Sequence, residues 1–331
     1  NEMLDEAYRA QATEDLAALG AAIDAERDRL AQEYPGSLAA AVAAAAREIQ
    51  IPDIEGPEAV ARAGRLSFAR LHWFDNLDLG DPRLLRTERM FRMVDQFVNQ
   101  LHPQVADSLA VAIETVLARA SAAPETFRQY LVHFVNSAAR ATQVGMDALY
   151  VHLVLKYYDQ GRATWVDADE LASMVGRARA LEPLLIGRSA PDFGLADPGG
   201  GGIDRVSAIV EDFTVLVFWH PDSDLALGSL STVGSARTAG WEGRVRLVGV
   251  CTRLPADPDG CSTALAEQSL SNWFHAVDAA EVERAVEAYD IRSVPQIYVL
   301  GRDREILSKR FAPGEIGAVL SRFLSGPAEQ R

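Results

Sequence analysis

FTVLVFWHPDSDLALGSL, residues 213–230, decides how this 331-residue chain is read. Thr214 to Trp219 are β-branched or aromatic apart from one leucine, which is the composition of a buried strand. His220 and Pro221 break the run. Asp222, Ser223 and Asp224 then supply acceptors of the kind that cap a helix. The apolar spacing after them predicts a helix over 226–238. A strand that runs through a short turn into a helix start is an α/β junction, and ligand sites of parallel α/β sheets gather at strand C-termini.

Further strands are predicted at RVRLVGV (244–250) and QIYVL (296–300), both rich in β-branched or aromatic residues. Helical patterns at 262–271, 279–289 and 314–324 separate or follow them. This alternation indicates an α/β sheet that is at least partly parallel. GRDREIL, from Gly301, supplies a hairpin turn, so the last two strands are expected to be antiparallel. Residues 203–210 carry a weaker signal and pad the approach to the sheet.

Upstream of residue 181 the texture is helical. The first helix is expected over 3–33 and ends at Tyr34-Pro35-Gly36. Ser37 caps a second helix, and Pro57 opens a third in a favoured first-turn position. Others are expected over 83–100, 103–120, 125–142, 146–160 and 167–178. Phe127, Tyr130, Leu131 and Phe134, then Leu149, Leu153 and Tyr157, recur at spacings of three and four, so they are assigned to core faces. His72, His102, His133 and His152 match no metal-site spacing and are read as packed or surface side chains. The stretch from Leu181, LEPLLIGRSAPDFGLADPGGGG, is rich in proline and glycine and marks a boundary near 181–188. The expected division is an all-α domain over 1–182 and an α/β domain over 183–331.

Composition excludes several classes. With 48% apolar and 24% charged residues the chain is globular, not disordered. A net charge of −15 with no long basic run argues against a nucleic-acid partner. No apolar stretch reaches membrane-spanning length. The sequence begins at Asn1, not at methionine, as in a processed or trimmed chain, so its start does not indicate a compartment. Two cysteines, Cys251 and Cys261, cannot build a disulfide framework, and no Cys–His cluster has zinc-finger spacing. Neither a cofactor nor a metal ion is expected.

In order, GRSAPDF (187–193), VLVFWHPDS, VRLVGV and SVPQIYVL resemble the thioredoxin fold in its TlpA-like and peroxiredoxin-like branch. DNLDLGDPRLLRTERM and MDALYVHLVLKYYDQGRATWVD resemble the helical domain that precedes such domains in exported Bacteroidetes proteins. The resemblance implies a periplasmic or cell-envelope location. It also implies a cis peptide bond at Pro295 and two redox cysteines at the positions of Ser223 and Ala226.

Those two thiols are missing. One thiolate must attack a disulfide and a second thiol must resolve the mixed product. Serine cannot form a stable disulfide and alanine cannot resolve one. Asp222 and Asp224 suit a capped helix start and oppose a nearby thiolate. Other chemistries are weakly supported. His220 and Ser223 lack the G-x-S-x-G elbow of a hydrolase nucleophile. His220, Asp222 and Asp224 form a short polar cluster common in turns. Cys251 ends its strand at the same sheet edge, ten residues before Cys261. The pair is compatible with a local disulfide, with two unpaired thiols or with an unusual redox pair. Pro295 either preserves a peptide groove or serves only to start its strand. Trp219 and Trp273 are assigned to packing. The expected function is a redox-inactive thioredoxin-fold envelope protein that binds or scaffolds a protein or peptide partner, with possible membership of an envelope complex. The alternative is a thiol:disulfide oxidoreductase using Cys251 and Cys261.

Overall fold

The structure, a computed structural model, describes residues 2–195, 205–237, 239–252, 258–267, 273–276 and 279–325. Upstream of residue 181 the regular elements are helical: α1 (Glu2–Glu33), α2 (Leu38–Ala45), α3 (Glu58–His72), α4 (Glu88–Gln100), α5 (Ala106–Ala120), α6 (Pro124–Arg140), α7 (Asp147–Leu153) and α8 (Ala168–Leu181). Ser37 caps α2 by accepting the Ala40 amide, and Asp167 caps α8 by accepting that of Glu170. The helix predicted over 83–100 is two pieces. A 3-10 turn, Pro82–Arg86, precedes α4, and Thr87 between them is extended at φ −106° and ψ 135°. The helix predicted over 146–160 changes to a π-helical turn at Val154–Tyr158.

The chain divides into two compact units, Asn1–Ser137 and Ala138–Arg331, in the last turn of α6. The change from helical to mixed elements falls near residue 185, but α7 and α8 are grouped with the sheet. In the first unit, Met90, Phe97, Ile113, Val116, Tyr130 and Leu131 are buried at helical spacing on α4, α5 and α6. Phe74 lies 4.7 Å from Phe97 between ring centroids, and Phe91 lies 5.8 Å from Tyr130. Helix α1 differs: from Gln11 to Glu33 none of its side chains is buried. Local charge pairs support it, Arg27 with Asp24 at 2.9 Å and Arg29 with Glu26 at 2.7 Å.

The second unit holds a five-stranded sheet of β1 (Phe213–Trp219), β2 (Val245–Cys251), β3 (Phe274–Ala276), β4 (Gln296–Gly301) and β5 (Ile306–Lys309), in the order β3-β2-β1-β4-β5. Strands β1, β2 and β3 are parallel; β4 and β5 are antiparallel, joined by the expected hairpin. All seven β1 residues are buried. Phe213, Val215, Val217 and Trp219 face one core with α9 (Asp224–Ser235), α10 (Pro258–Glu267) and α12 (Ile316–Leu324). Leu216 and Phe218 face a second core with α11 (Ala279–Ala288) and with Leu184, Ala190, Phe193, Leu195, Val206 and Ile209. Strand β3 is absent from the sequence reading. Val206–Ala208 is a 3-10 turn, and Gly194 bridges Arg205, so the weak 203–210 signal is not a regular strand where it is described. Expected helical residues 268–271, and 253–257 between the two cysteines, lie outside the described residues.

One buried charge joins α7 to the sheet. Lys309 on β5 is 1% exposed, and its Nζ donates to the Asp147 carboxylate and the Leu184 carbonyl. Burial pushes the Lys309 amine below its ordinary value, and the Asp147 charge opposes that shift. Removing one partner of such a pair leaves an uncompensated buried charge, worth roughly 3–5 kcal/mol. Asp147→Asn is therefore expected to destabilise the second unit by about 3 kcal/mol in denaturant unfolding, and pairing Asp147→Leu with Lys309→Met to recover most of it. Equal stability of wild type and Asp147→Asn contradicts this role.

Three tyrosines set a second expectation. Burial pushes the phenols of Tyr130 and Tyr289 well above their ordinary value and that of Tyr298 up to about 12. A folded pKa above the unfolded value of about 10 gives stability that is whole below pH 10 and lost as pH rises through the folded value. Stability should fall from pH 10 towards pH 12, and part of the phenolate absorbance should appear only with unfolding. Ionisation of all eight tyrosines near pH 10 with the fold intact would contradict the burial assigned to them.

Candidate functional site

Strand register gathers the sequence-derived residues at one end of the sheet. Trp219, the last residue of β1, pairs with Cys251, the last of β2. Phe218 pairs with Gln296, which places Pro295 beside the same end. The Val294–Pro295 bond is cis, and Pro295 is half-buried. Thr252 fastens the edge by donating its amide and its hydroxyl to the Trp219 carbonyl, at 2.8 and 3.0 Å. The turn 220–223 leaves β1 here and starts α9.

At that start Ser223 is a helix cap. Its φ of −111° and ψ of 102° are extended, and its Oγ accepts the Ala226 amide at 3.3 Å. Ala226 is fully buried against the core that contains Trp219 and Cys251. Asp224 lies in the first turn, where a carboxylate complements the helix dipole. His220 Nδ1 accepts the Asp222 amide at 3.1 Å. Ser223 donates its amide to the His220 carbonyl at 3.1 Å, but among the described hydrogen bonds none joins the His220 ring to the Ser223 hydroxyl, so the turn does not assemble a base and nucleophile. Among the described residues no group of three or more His, Cys, Asp or Glu is placed to hold a metal ion, His220, Asp222 and Asp224 included.

Cys251 and Cys261 form a disulfide with a Cα–Cα distance of 6.3 Å, which removes two unpaired thiols from the alternatives left by the sequence. Both residues are buried, at 4% and 3% exposure, in the core with Trp219, Leu265 and Trp273. A thiolate reaches a disulfide by collinear attack on one sulfur, an approach that burial of the pair hinders. Trp219 and Trp273 are core residues, as expected, and the Trp219 Nε1 has no hydrogen-bond partner.

The sequence reading passed over Leu225. It lies between the cap and Ala226, yet 71% of it is exposed, while Asp222 and Asp224 beside it are also exposed. Its position two residues after a cap, on the solvent side of the first turn, was the available signal. This end of the sheet therefore offers an apolar side chain flanked by carboxylates, with the cis proline at the adjoining strand. It offers no thiol.

No family model matches the chain, and no curated protein matches it. Among solved structures it is similar to a thioredoxin-like protein from Bacteroides caccae, with 15% identity and a TM-score of 0.58 over 83% of this chain and 99% of that one. It is similar over shorter spans to the thioredoxin domain of a thiol-disulfide oxidoreductase from Bacteroides vulgatus, at 17% identity and a TM-score of 0.38 over 42% of this chain and 97% of that one. A thiol:disulfide interchange protein from Bacteroides sp. matches at 18% identity and a TM-score of 0.38, over 44% of this chain and 93% of that one. The sheet order and the long match to the Bacteroides caccae protein together give the conclusion: the chain has a thioredoxin-like fold with an additional helical region before it.

Proposed function

We propose that this chain is a thioredoxin-fold protein of the cell envelope that performs no dithiol exchange at residues 223–226 and instead binds a protein or peptide partner at that sheet edge. The observation that carries the reading is the Ser223–Ala226 bond. Where a thioredoxin chemistry needs an attacking and a resolving sulfur, one side chain is a cap and the other a fully buried methyl. The buried disulfide supports an oxidising compartment, because such bonds persist outside the reducing cytosol. Among the described residues no helix is long and apolar enough to cross a membrane. A net charge of −15 disfavours nucleic acid as the partner.

The Cys251–Cys261 pair supports the second reading, an oxidoreductase with relocated cysteines, by lying at the same sheet edge. Burial of both residues weighs against it. Bridging ten residues of separation stabilises the fold by about 3 kcal/mol in the chain-entropy account, a structural role that needs no exchange.

Turnover separates the readings. Reduction of a disulfide substrate by the intact chain should match the no-protein rate, and the Cys251→Ala/Cys261→Ala variant should be equally inactive but about 3 kcal/mol less stable. Activity that survives in that variant, free of contaminating reductase, would sink the proposed loss at 223–226. Activity that vanishes with the cysteines would favour the second reading. For binding, an array of extended peptides probed with wild type should retain a subset whose signal falls at least tenfold with Leu225→Glu. No retained peptide, or an unchanged pattern, would count against a partner at this edge.

A further inference from the structure

Helix α1 exposes a short row of apolar side chains. Leu16 is 69% exposed, Leu19 57% and Ile23 42%, and their spacing of three and four places them along one side. Leu30, half-buried, continues that side by seven residues. The C-terminal half of α1 and helix α2 enclose an apolar groove of about 750 Å³, whose walls include Ile23, Leu30, Leu38 and Val42. One half of α1 thus presents protruding leucines, and the other half, with α2, presents a recess lined mostly by apolar side chains, with Glu26 and Arg27 also on its walls.

We propose that this face is where a second copy of the chain docks, with its α1 antiparallel to the first. The spacing makes the surface self-complementary. Leu16 and Leu30 are each seven residues from Ile23, about 10.5 Å along the axis in opposite directions. A two-fold axis through Ile23 therefore sets each Ile23 against its equivalent and each Leu16 beside the other copy's Leu30 and groove. The surface is isologous, so two grooves are filled by one symmetric contact. Charge selects the direction. Antiparallel pairing brings Asp15 of one copy within a helical turn of Arg29 of the other, whereas parallel pairing sets Glu14 and Asp15 against themselves. With the axis at Ile23 the two helices overlap over residues 13–33, about 31 Å, and a strip about 10 Å wide covers on the order of 600 Å² in total, the size of a weak contact that the α2 wall of each groove extends.

The test uses the full chain. Sedimentation should show a concentration-dependent dimer, and Leu16→Glu with Leu19→Glu should raise its dissociation constant by about 100-fold or more. Those positions are exposed, so the double variant keeps its helical circular dichroism. Cysteine placement reads the geometry. The two native cysteines are joined, so an introduced one supplies the free thiol. Under mild oxidation Ile23→Cys should form a covalent dimer, because its position lies on the axis. Leu16→Cys should not, because its equivalents are about 21 Å apart along the axis. Cross-linking by both variants would indicate parallel pairing and overturn the proposal. So would a wild type that is monomeric at every concentration, or a dimer indifferent to the glutamates. Binding of a monomer to phosphatidylcholine or phosphatidylglycerol vesicles that the glutamates abolish would assign the face to a membrane and also overturn it.

Discussion

Strand β1 is buried at all seven positions and packs into a core on each face, so its two neighbours have little freedom of register. The parallel pairing with β2 carries Cys251 to Trp219, and the antiparallel pairing with β4 carries Gln296 to Phe218. A slip of one residue would turn Val215, Val217 and Trp219 from one core to the other. The meeting of the α9 start, the disulfide and Pro295 at one edge follows from that constraint.

What the edge can do follows from the first turn of α9. A helix start leaves amides without helical partners, and here a serine hydroxyl takes the one at Ala226. The arrangement stabilises the helix in the ordinary way. It also commits the serine to structure, while a buried methyl occupies the second position. The sulfur chemistry present in the chain is instead placed inside the core, where it ties α10 to β2.

The legible part of the fold was the part written locally. β-branched runs marked β1, β2 and β4, and GRDREIL marked the turn into β5. Ser223 was readable as a cap from its neighbours alone. The three-residue strand β3 was not, because Phe274–Ala276 is too short to establish alternation and takes its shape from β2. The Cys251–Cys261 bond stayed open because sequence does not contain a Cα distance. The packing of α7 with the sheet was invisible for the same reason: Asp147 and Lys309 meet across 162 residues, and nothing local to either residue indicates the other. Leu225 was hidden by its chemistry, since an apolar residue beside a helix start is ordinarily assigned to the core.

The central claim is that the folded chain contains no exchangeable sulfur. Incubation of the native protein with reduced glutathione, followed by alkylation and mass measurement, tests it most directly. The account predicts no added alkyl group while the circular dichroism stays native, and two added groups once the chain is unfolded in reductant. Alkylation of Cys251 and Cys261 in protein that remains folded would contradict it.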